Sequence, residues 1–464
     1  MKNSCADISP RLKLWQTTAD LDSAVEAYTV GDDPRRDAEL LEFEVYGSLA
    51  HAEGLKSIGL LSDRELADVR DTLSDLMAQR QYFTVTAAQE DVHTAVEQFL
   101  TTALGETGAK IHAGRSRNDQ VQVDLRLWLK DRLLELQELC CQACQAWESF
   151  GRHHDQDLMP GYTHLQRAMP TTVGHWAASH AEAFLENLSS LRSAFDQADS
   201  CPLGSAAGFG SGLALPRPAV ARLLGFSRVQ RNTLRVQSSR PRLEAAALSA
   251  LALLARDIAT LAWDISLFST TEFGFMRLGE DFTTGSSIMP HKRNPDVAEL
   301  TRGRAALFSG WLAQVLALGA LPSGYHRDYQ LSKGPLMDAF AAARAMLGMA
   351  CRLAKALSVD RARCGAVVTP DMLSTQAALS LVRQGVPFRQ AYRSVAQAAR
   401  AGQSLGPIKP ELPDSPGAPG NPDWPAINRE RRQQVQRIRR ERERLHSAWK
   451  SLLKGKVALL RAKR

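Results

Sequence analysis

Between Thr284 and Pro295 the chain reads Thr-Gly-Ser-Ser-Ile-Met-Pro-His-Lys-Arg-Asn-Pro, with two hydroxyls behind a glycine and a cation and an amide close by. Gly285, Ser286 and Ser287 suit a mobile loop with exposed backbone N–H groups, and Lys292 and Asn294 add charge and an amide where an anion could be held. Asn294 can cap a helix whose first position is Pro295, which sets Asp296 and Glu299 near that helix's start. Three more segments carry similar groups: Gly114-Arg115-Ser116-Arg117-Asn118-Asp119-Gln120, Met159-Pro160-Gly161-Tyr162-Thr163-His164-Leu165-Gln166-Arg167-Ala168 and Glu90-Asp91-Val92-His93. Singly, each has a plain reading. A serine in a glycine-rich loop is a turn residue, Glu299 complements a helix dipole, and His93 stands four residues before Glu97, where an ion pair suffices.

Taken together, the four segments closely resemble the signatures of the fumarase and aspartase superfamily, in the version of the argininosuccinate lyase family. Pro202-Leu203-Gly204-Ser205, Glu272-Phe273-Gly274-Phe275, the stretch from Tyr325 to Lys333 and Gly385-Val386-Pro387-Phe388-Arg389 are similar too, so the resemblance runs from about Thr29 to Arg400. It implies an all-α fold in which a long central helix bundle is flanked by two smaller helical domains. It implies a homotetramer whose active sites combine loops from three subunits. It also implies reversible elimination of fumarate from argininosuccinate to give arginine, with no metal, nucleotide or organic cofactor. By the same resemblance Ser286 is the base, acting as an alkoxide held by backbone N–H groups, and His164, hydrogen-bonded to Glu299, is the acid. Ser116, Arg117, Asn118, Thr163, Lys292 and Asn294 hold the substrate's carboxylates, His93 has a substrate-side role, and Tyr325, Gln330 and Lys333 contact the amino-acid end.

The reaction explains these residue types. Removing a proton beside a carboxylate builds charge onto that group, so fixed donors and cations must surround it. One base takes the carbon-bound proton and one acid assists the departing nitrogen. The chain also departs from the family. The common Trp-Gly-Gly-Arg-Phe is Trp15-Gln16-Thr17-Thr18-Ala19, the next loop is Thr29-Val30-Gly31-Asp32-Asp33-Pro34, and Ser-Asp-Arg-Asp is Ser238-Ser239-Arg240-Pro241. Those changes touch the amine side, which leaves two rivals: a lyase of the same mechanism on another N-substituted aspartate, and a non-catalytic structural relative.

Long helices must position these loops. Leu125, Trp128, Leu129, Leu133, Leu136 and Cys140 follow amphipathic helical spacing from Asp124 onward, and the pattern recurs from Thr171 to about Phe195, Arg242 to about Thr271 and Asp296 to about Leu318. Glycine- and proline-bearing stretches, Met159 to Pro170, Cys201 to Pro218 and Asp281 to Pro295, read as loops between them. The expected division is an N-terminal helical domain over 1–113, a central bundle over 114–366 and a C-terminal helical domain over 367–464. The last contains a proline-rich linker over 403–425, whose prolines recur every third residue as in polyproline II, and a basic helical tail over 429–464.

Composition excludes other classes. Aromatic residues are only 6% of the 464 while alanine and leucine recur, which favours helices over strands. The net charge of +7 is local: Arg429 to Arg464 holds 14 Lys or Arg against 3 Glu, and the rest is net negative by 4, so no nucleic-acid partner is expected and the tail reads as a solvated helix face. Seven cysteines and an opening stretch with no apolar run point to reduced thiols in a cytoplasmic protein, with Cys141 and Cys144 read as helix residues. Ala245 to Ala255 is too short for a membrane span, and Ala305 to Tyr325 is interrupted by Gly310, Gln314, Gly319 and Pro322, so both read as buried helices and no membrane is expected.

Overall fold

The computed structural model describes residues 21–401, 403 and 409–454. Trp15 to Ala19, Pro407 and residues 455–464 of the tail lie outside the described residues.

The fold is all-α. Its main helices are α1 (Leu41–Ser57), α2 (Val92–Leu104), α3 (Arg117–His153), α4 (Val173–Ala198), α5 (Arg242–Phe268), α6 (Asp296–Ala317), α7 (Lys333–Ala356) and α8 (Trp424–Leu452). The 37-residue α3 is the spine: α1, α4, α7 and α8 pack along it, and α5 joins α4, α6 and α7. Local chemistry sets the starts. Ser116 opens α3 with a capping box, its Oγ accepting from Asn118 N while Asp119 accepts from Ser116 N at 2.9 Å. Thr172 caps α4 and Asp91 caps α2. Along α3, Trp128 and Trp147 are fully buried; truncating either to alanine would cost about 3–5 kcal/mol. Cys141 and Cys144 lie buried within this helix, where burial pushes both thiols up to about 12.

The four helices expected from periodicity match α3 to α6, with α3 beginning ahead of Asp124, at Arg117, but the stretch Met159 to Pro170 is not an irregular loop. It lies in a hairpin of β1 (Leu158–Thr163) and β2 (Gln166–Thr172). Pro160, Gly161 and Pro170 hide the strand pattern, and an irregularity between Pro160 and Tyr162 absorbs Gly161. His164 and Leu165 form the two-residue turn, with φ of 53° and 57°, the left-handed pair that matches the twist of a hairpin. A second, shorter ladder pairs β3 (Thr284–Gly285) with β4 (Arg293–Asn294) and closes residues 286–292 into a loop. The expected cap by Asn294 is not formed. Asn294 is extended in that ladder opposite Thr284, so α6 begins one residue later, behind Pro295, with no side-chain cap.

One hydrophobic core runs continuously from Leu40 to Leu453, and a small separate cluster of Ala378, Ala391 and Val395 lies between the helices Ser374–Arg383 and Phe388–Arg400. The basic tail is more than a solvated face. Ile438, Leu445, Trp449 and Leu452 of α8 are buried, and its arginines meet acids on the bundle: Arg442 with Asp131 at 2.8 Å and Glu138 at 3.0 Å, Arg444 with Asp199 at 3.1 Å. Counting charge missed those acids because they lie on α3 and just past the end of α4. The proline-spaced segment is not continuous polyproline II either. Gly420 N bonds Pro413 O and Gly417 N bonds Asn421 O, both at 2.8 Å, whereas polyproline II has no internal hydrogen bonds.

Helix α5 is long and apolar enough, by length and composition, to cross a membrane, but 56% of its most apolar window is buried among α4, α6 and α7. On the outer side, α6 buries only Ala298, Thr301, Phe308 and Val315, while Leu300, Leu307 and Leu316 are 62%, 51% and 59% exposed and Trp263 of α5 is 59% exposed.

Candidate active site

The sequence-predicted residues fall into two groups. His93, Arg117, Asn118, Tyr325, Gln330 and Lys333 line one cavity of about 230 Å³. Its walls come from the starts of α2 and α3, the turn ahead of α7 and residues 30–37.

Ions are wired tightly there. Lys333 is buried, with Nζ 2.8 Å from Asp33 Oδ1 and 2.7 Å from Asp37 Oδ1. Burial opposes its charge, but the two aspartates outweigh that and raise its pKa. Two of its three donors are thereby used, which leaves one for a ligand. Arg117 lies 3.0 Å from Glu90 and 3.5 Å from Asp91, and its other terminal nitrogen donates to Thr94. Gln330 Nε2 donates to the carbonyls of Thr29 (3.1 Å) and Val30 (3.3 Å), which straps the unusual Thr29 to Pro34 loop against the cavity. Arg240, retained in the altered Ser238 to Pro241 segment, also lines the cavity and is anchored to Glu244 at 2.8 Å and to Tyr329 O and Ser332 Oγ at 2.9 Å.

His93 does not pair with Glu97, which instead meets His112 at 3.2 Å. The His93 ring turns inward, Nδ1 lying 2.8 Å from Glu44 and 3.4 Å from Asp124. Glu44, His93 and Asp124 hold three ligand-type atoms within 4.8 Å of one another, a set that a divalent cation could use. Protons already serve the key member: Glu44 accepts from Ser48 Oγ at 2.6 Å and Gln120 Nε2 at 3.3 Å besides facing His93. Asp33, Asp37, Glu44, Asp124 and Arg240 were not singled out as site residues from sequence. Arg240 stood within a matched motif and was the legible one; the acids carry no motif of their own and become significant only through the cation each one faces.

The second group sits on exposed tips. Thr163 ends β1 and His164 opens the β1–β2 turn, which stands on aromatic packing of Tyr162 against Phe273 and Phe275 at 5.4 and 6.4 Å. Ser286 opens the loop between β3 and β4, and its Oγ accepts the N–H groups of Met289 at 3.0 Å and Ile288 at 3.3 Å. Lys292 and Glu299 are exposed and Asn294 is half-buried. Among the described residues, no hydrogen bond or ion pair joins His164 to Glu299. Ser116 stays at the helix start, its hydroxyl oxygen occupied as the cap of α3.

A family described as Lyase matches residues 18–310. The chain is 44% identical over 387 residues to an argininosuccinate lyase of Sorangium cellulosum, covering 83% of this chain and 90% of that protein. It is 41% identical over 399 residues to an argininosuccinate lyase of Xanthomonas campestris pv. campestris, covering 85% and 92%. Among solved structures, EDDS lyase in complex with formate superposes with a TM-score of 0.75 at 23% identity, covering 96% of this chain and 98% of that one. A fumarate lyase:delta crystallin from Brucella melitensis bound to cobalt superposes at 0.69 with 18% identity, over 89% and 94%. These two show the shared helical fold.

Proposed function

Since the chain belongs to the lyase family of the fumarase and aspartase superfamily, we propose that it acts as an argininosuccinate lyase, splitting argininosuccinate reversibly into arginine and fumarate. The observation that carries this reading is Ser286: its Oγ already accepts two backbone N–H groups, the arrangement that favours an alkoxide. The alkoxide removes a proton from the carbon beside a succinyl carboxylate. Electrons from that C–H bond form the double bond of fumarate as the C–N bond breaks. The guanidino nitrogen leaves with a proton from His164, whose basicity Glu299 supports. Arg117, Asn118, Thr163, Lys292 and Asn294, with the Ser116 hydroxyl behind them, surround the carboxylate on which charge builds. Tyr325, Gln330 and the remaining donor of Lys333 receive the amino-acid end, and His93 faces the substrate from the cavity floor.

The separation of the two groups supports a shared site. The apolar stripe of Leu300, Leu307, Leu316 and Trp263 suits helix-to-helix packing of four copies, and the exposed tips then supply the acid and base to a cavity of another copy. In this reading the enzyme is a cytoplasmic homotetramer whose partners are small molecules only.

One observation favours the alternative of another N-substituted aspartate: Asp33, from the departing loop, sits on the cavity wall beside Lys333. Fumarate release followed by ultraviolet absorbance, with a panel of N-substituted aspartates and with Ser286→Ala alongside wild type, tests both readings. Fast release from argininosuccinate that the variant loses supports the proposal. Release only from another aspartate derivative moves the assignment to it, and equal release from both proteins removes Ser286 as the base.

A further inference from the structure

His93 forms part of the cavity wall and is 3% exposed. It comes from α2, while the two carboxylates against its Nδ1 come from α1 (Glu44) and α3 (Asp124), so three helices converge on one ring. Its Nε2 has no hydrogen-bond partner among the described residues, and neither have the carboxylate oxygens of Asp124. Also facing this cluster are Asp91 at the start of α2, Asp37 from the helix Asp33–Asp37, Arg115, 3.8 Å from Glu44, and the titratable His51 of α1, on which Glu44 acts.

Two carboxylates this close in a dry interior cannot both ionise cheaply, so one keeps a proton. Asp124 is that one. Burial and then the negative charge of Glu44 push its pKa well up, whereas His93, Arg115 and the Ser48 hydroxyl overcome burial at Glu44 and hold it ionised. Burial also disfavours a charged His93, but the hydrogen bond to Glu44 and the charges of Glu44, Asp91 and Asp37 outweigh it and raise the imidazole's pKa. A cation in the same place would have to displace the donors that already fill Glu44.

We infer that Glu44 and Asp124 are positioning residues that hold His93 as an imidazolium, Nδ1–H turned to the carboxylates and Nε2–H offered to the cavity as a fixed donor for a substrate carboxylate. Orientation of an imidazole by a carboxylate behind it is the device that fixes histidines at metal and catalytic centres. The role in turnover rests on the lyase reading; the protonation state does not.

Neutron diffraction from wild-type crystals at neutral pD reads that state directly. Deuterons on both His93 ring nitrogens are expected, and a single deuteron overturns the inference. In solution, Glu44→Gln raises KM for argininosuccinate about tenfold or more, with a smaller change in kcat, because a charge-assisted donor is lost. KM in that variant also climbs as pH passes the ordinary histidine value near 6.5. Glu44→Asp restores most of the affinity, and Asp124→Asn, which keeps a neutral group, costs less than Glu44→Gln. In a His93→Asn background Glu44→Gln adds little, since its effect runs through the ring; additive losses refute the coupling. If wild type releases no fumarate the lyase reading fails, while the neutron result still decides the protonation state.

Discussion

The cavity and the exposed tips are built on opposite principles. In the cavity three cations face opposite charges before a ligand arrives: Lys333 lies between Asp33 and Asp37, Arg117 beside Glu90 and Asp91, and Arg240 against Glu244. At the tips, His164 stands on a two-residue turn and Glu299 on the first turn of α6, and among the described residues no ion pair holds either one. A binding pocket gains from groups fixed in advance, because ordering them on binding would consume affinity. In the proposed reading, acid and base groups on such tips acquire their geometry only when they meet a partner surface, which would join catalysis to assembly.

The sharpest way to break that contrast is to remove the proposed base. Ser286→Ala should lower kcat by about 10³-fold or more while KM stays within a few fold, since the cavity is untouched. Steady-state fumarate release measures both constants, and a loss confined to KM would make Ser286 a binding residue. Next comes assembly. Leu307→Glu, at a position 51% exposed on α6, should leave helicity intact but dissociate the protein and abolish most turnover, read by sedimentation velocity and activity on one sample. An active monomer would end the shared-site picture. The complementary test joins Ser286→Ala chains with Arg117→Ala chains by co-refolding. If tips and cavities come from different copies, some mixed assemblies contain a site with both wild-type halves, and activity returns to a fraction of wild type.

Much of this contrast could be read from residues alone, and the limit has a physical origin. Helices α3 to α6 announced themselves because Leu125, Trp128, Leu129 and Leu133 repeat on one face, and burial on one side is what periodicity records. The β1–β2 hairpin did not, because its prolines and glycine break the alternation that marks strands, and neither His164 nor Leu165 is a usual turn residue for positive φ. Motif residues identified Arg117, Asn118, Tyr325, Gln330 and Lys333, which meet as one cavity wall. The acids that hold them came from distant places in the chain. Asp37 lies 296 residues from Lys333, and Glu44 lies 49 from His93, distances over which no local pattern carries information. The solvated-face reading of the tail helix fails for the same reason, since the acids facing its arginines are on α3 and just past the end of α4.

A smaller effect tests the wiring of the cavity. Lys333→Met removes a cation that two aspartates need, so the buried Asp37 and the half-buried Asp33 lose their counter-charge. KM should rise about tenfold or more, and the melting temperature should fall as well. Ser286→Ala at the exposed tip should leave the melting temperature within a degree or two, so thermal melts of the two variants side by side separate a wired residue from an unwired one. Equal melting temperatures would mean that the ion triad contributes to binding but not to the stability of the wall.

The smallest effect concerns acid. His51 of α1 is 1% exposed, and its Nε2 lies 2.9 Å from the carbonyl of Ala113, just ahead of the segment that carries Ser116, Arg117 and Asn118. Burial first and then the nearby Arg115 push its pKa down to about 3, against the carbonyl's opposing pull. Unfolded, it titrates near 6.5, so between these values the unfolded chain binds more protons and folding is opposed as pH falls. Its contribution is complete above pH 6.5 and is lost progressively toward pH 3, the loss reaching about 2 kcal/mol by pH 5. The cavity side of the molecule should therefore loosen in mild acid before the α5–α6 face does. Hydrogen exchange at pH 7 and pH 5 should show α1 and the start of α3 losing protection first, and His51→Gln should reduce that difference. Uniform loss across α1 and α6 would remove His51 as the acid-sensitive link and leave the buried Glu44, His93 and Asp124 cluster as the next one to examine.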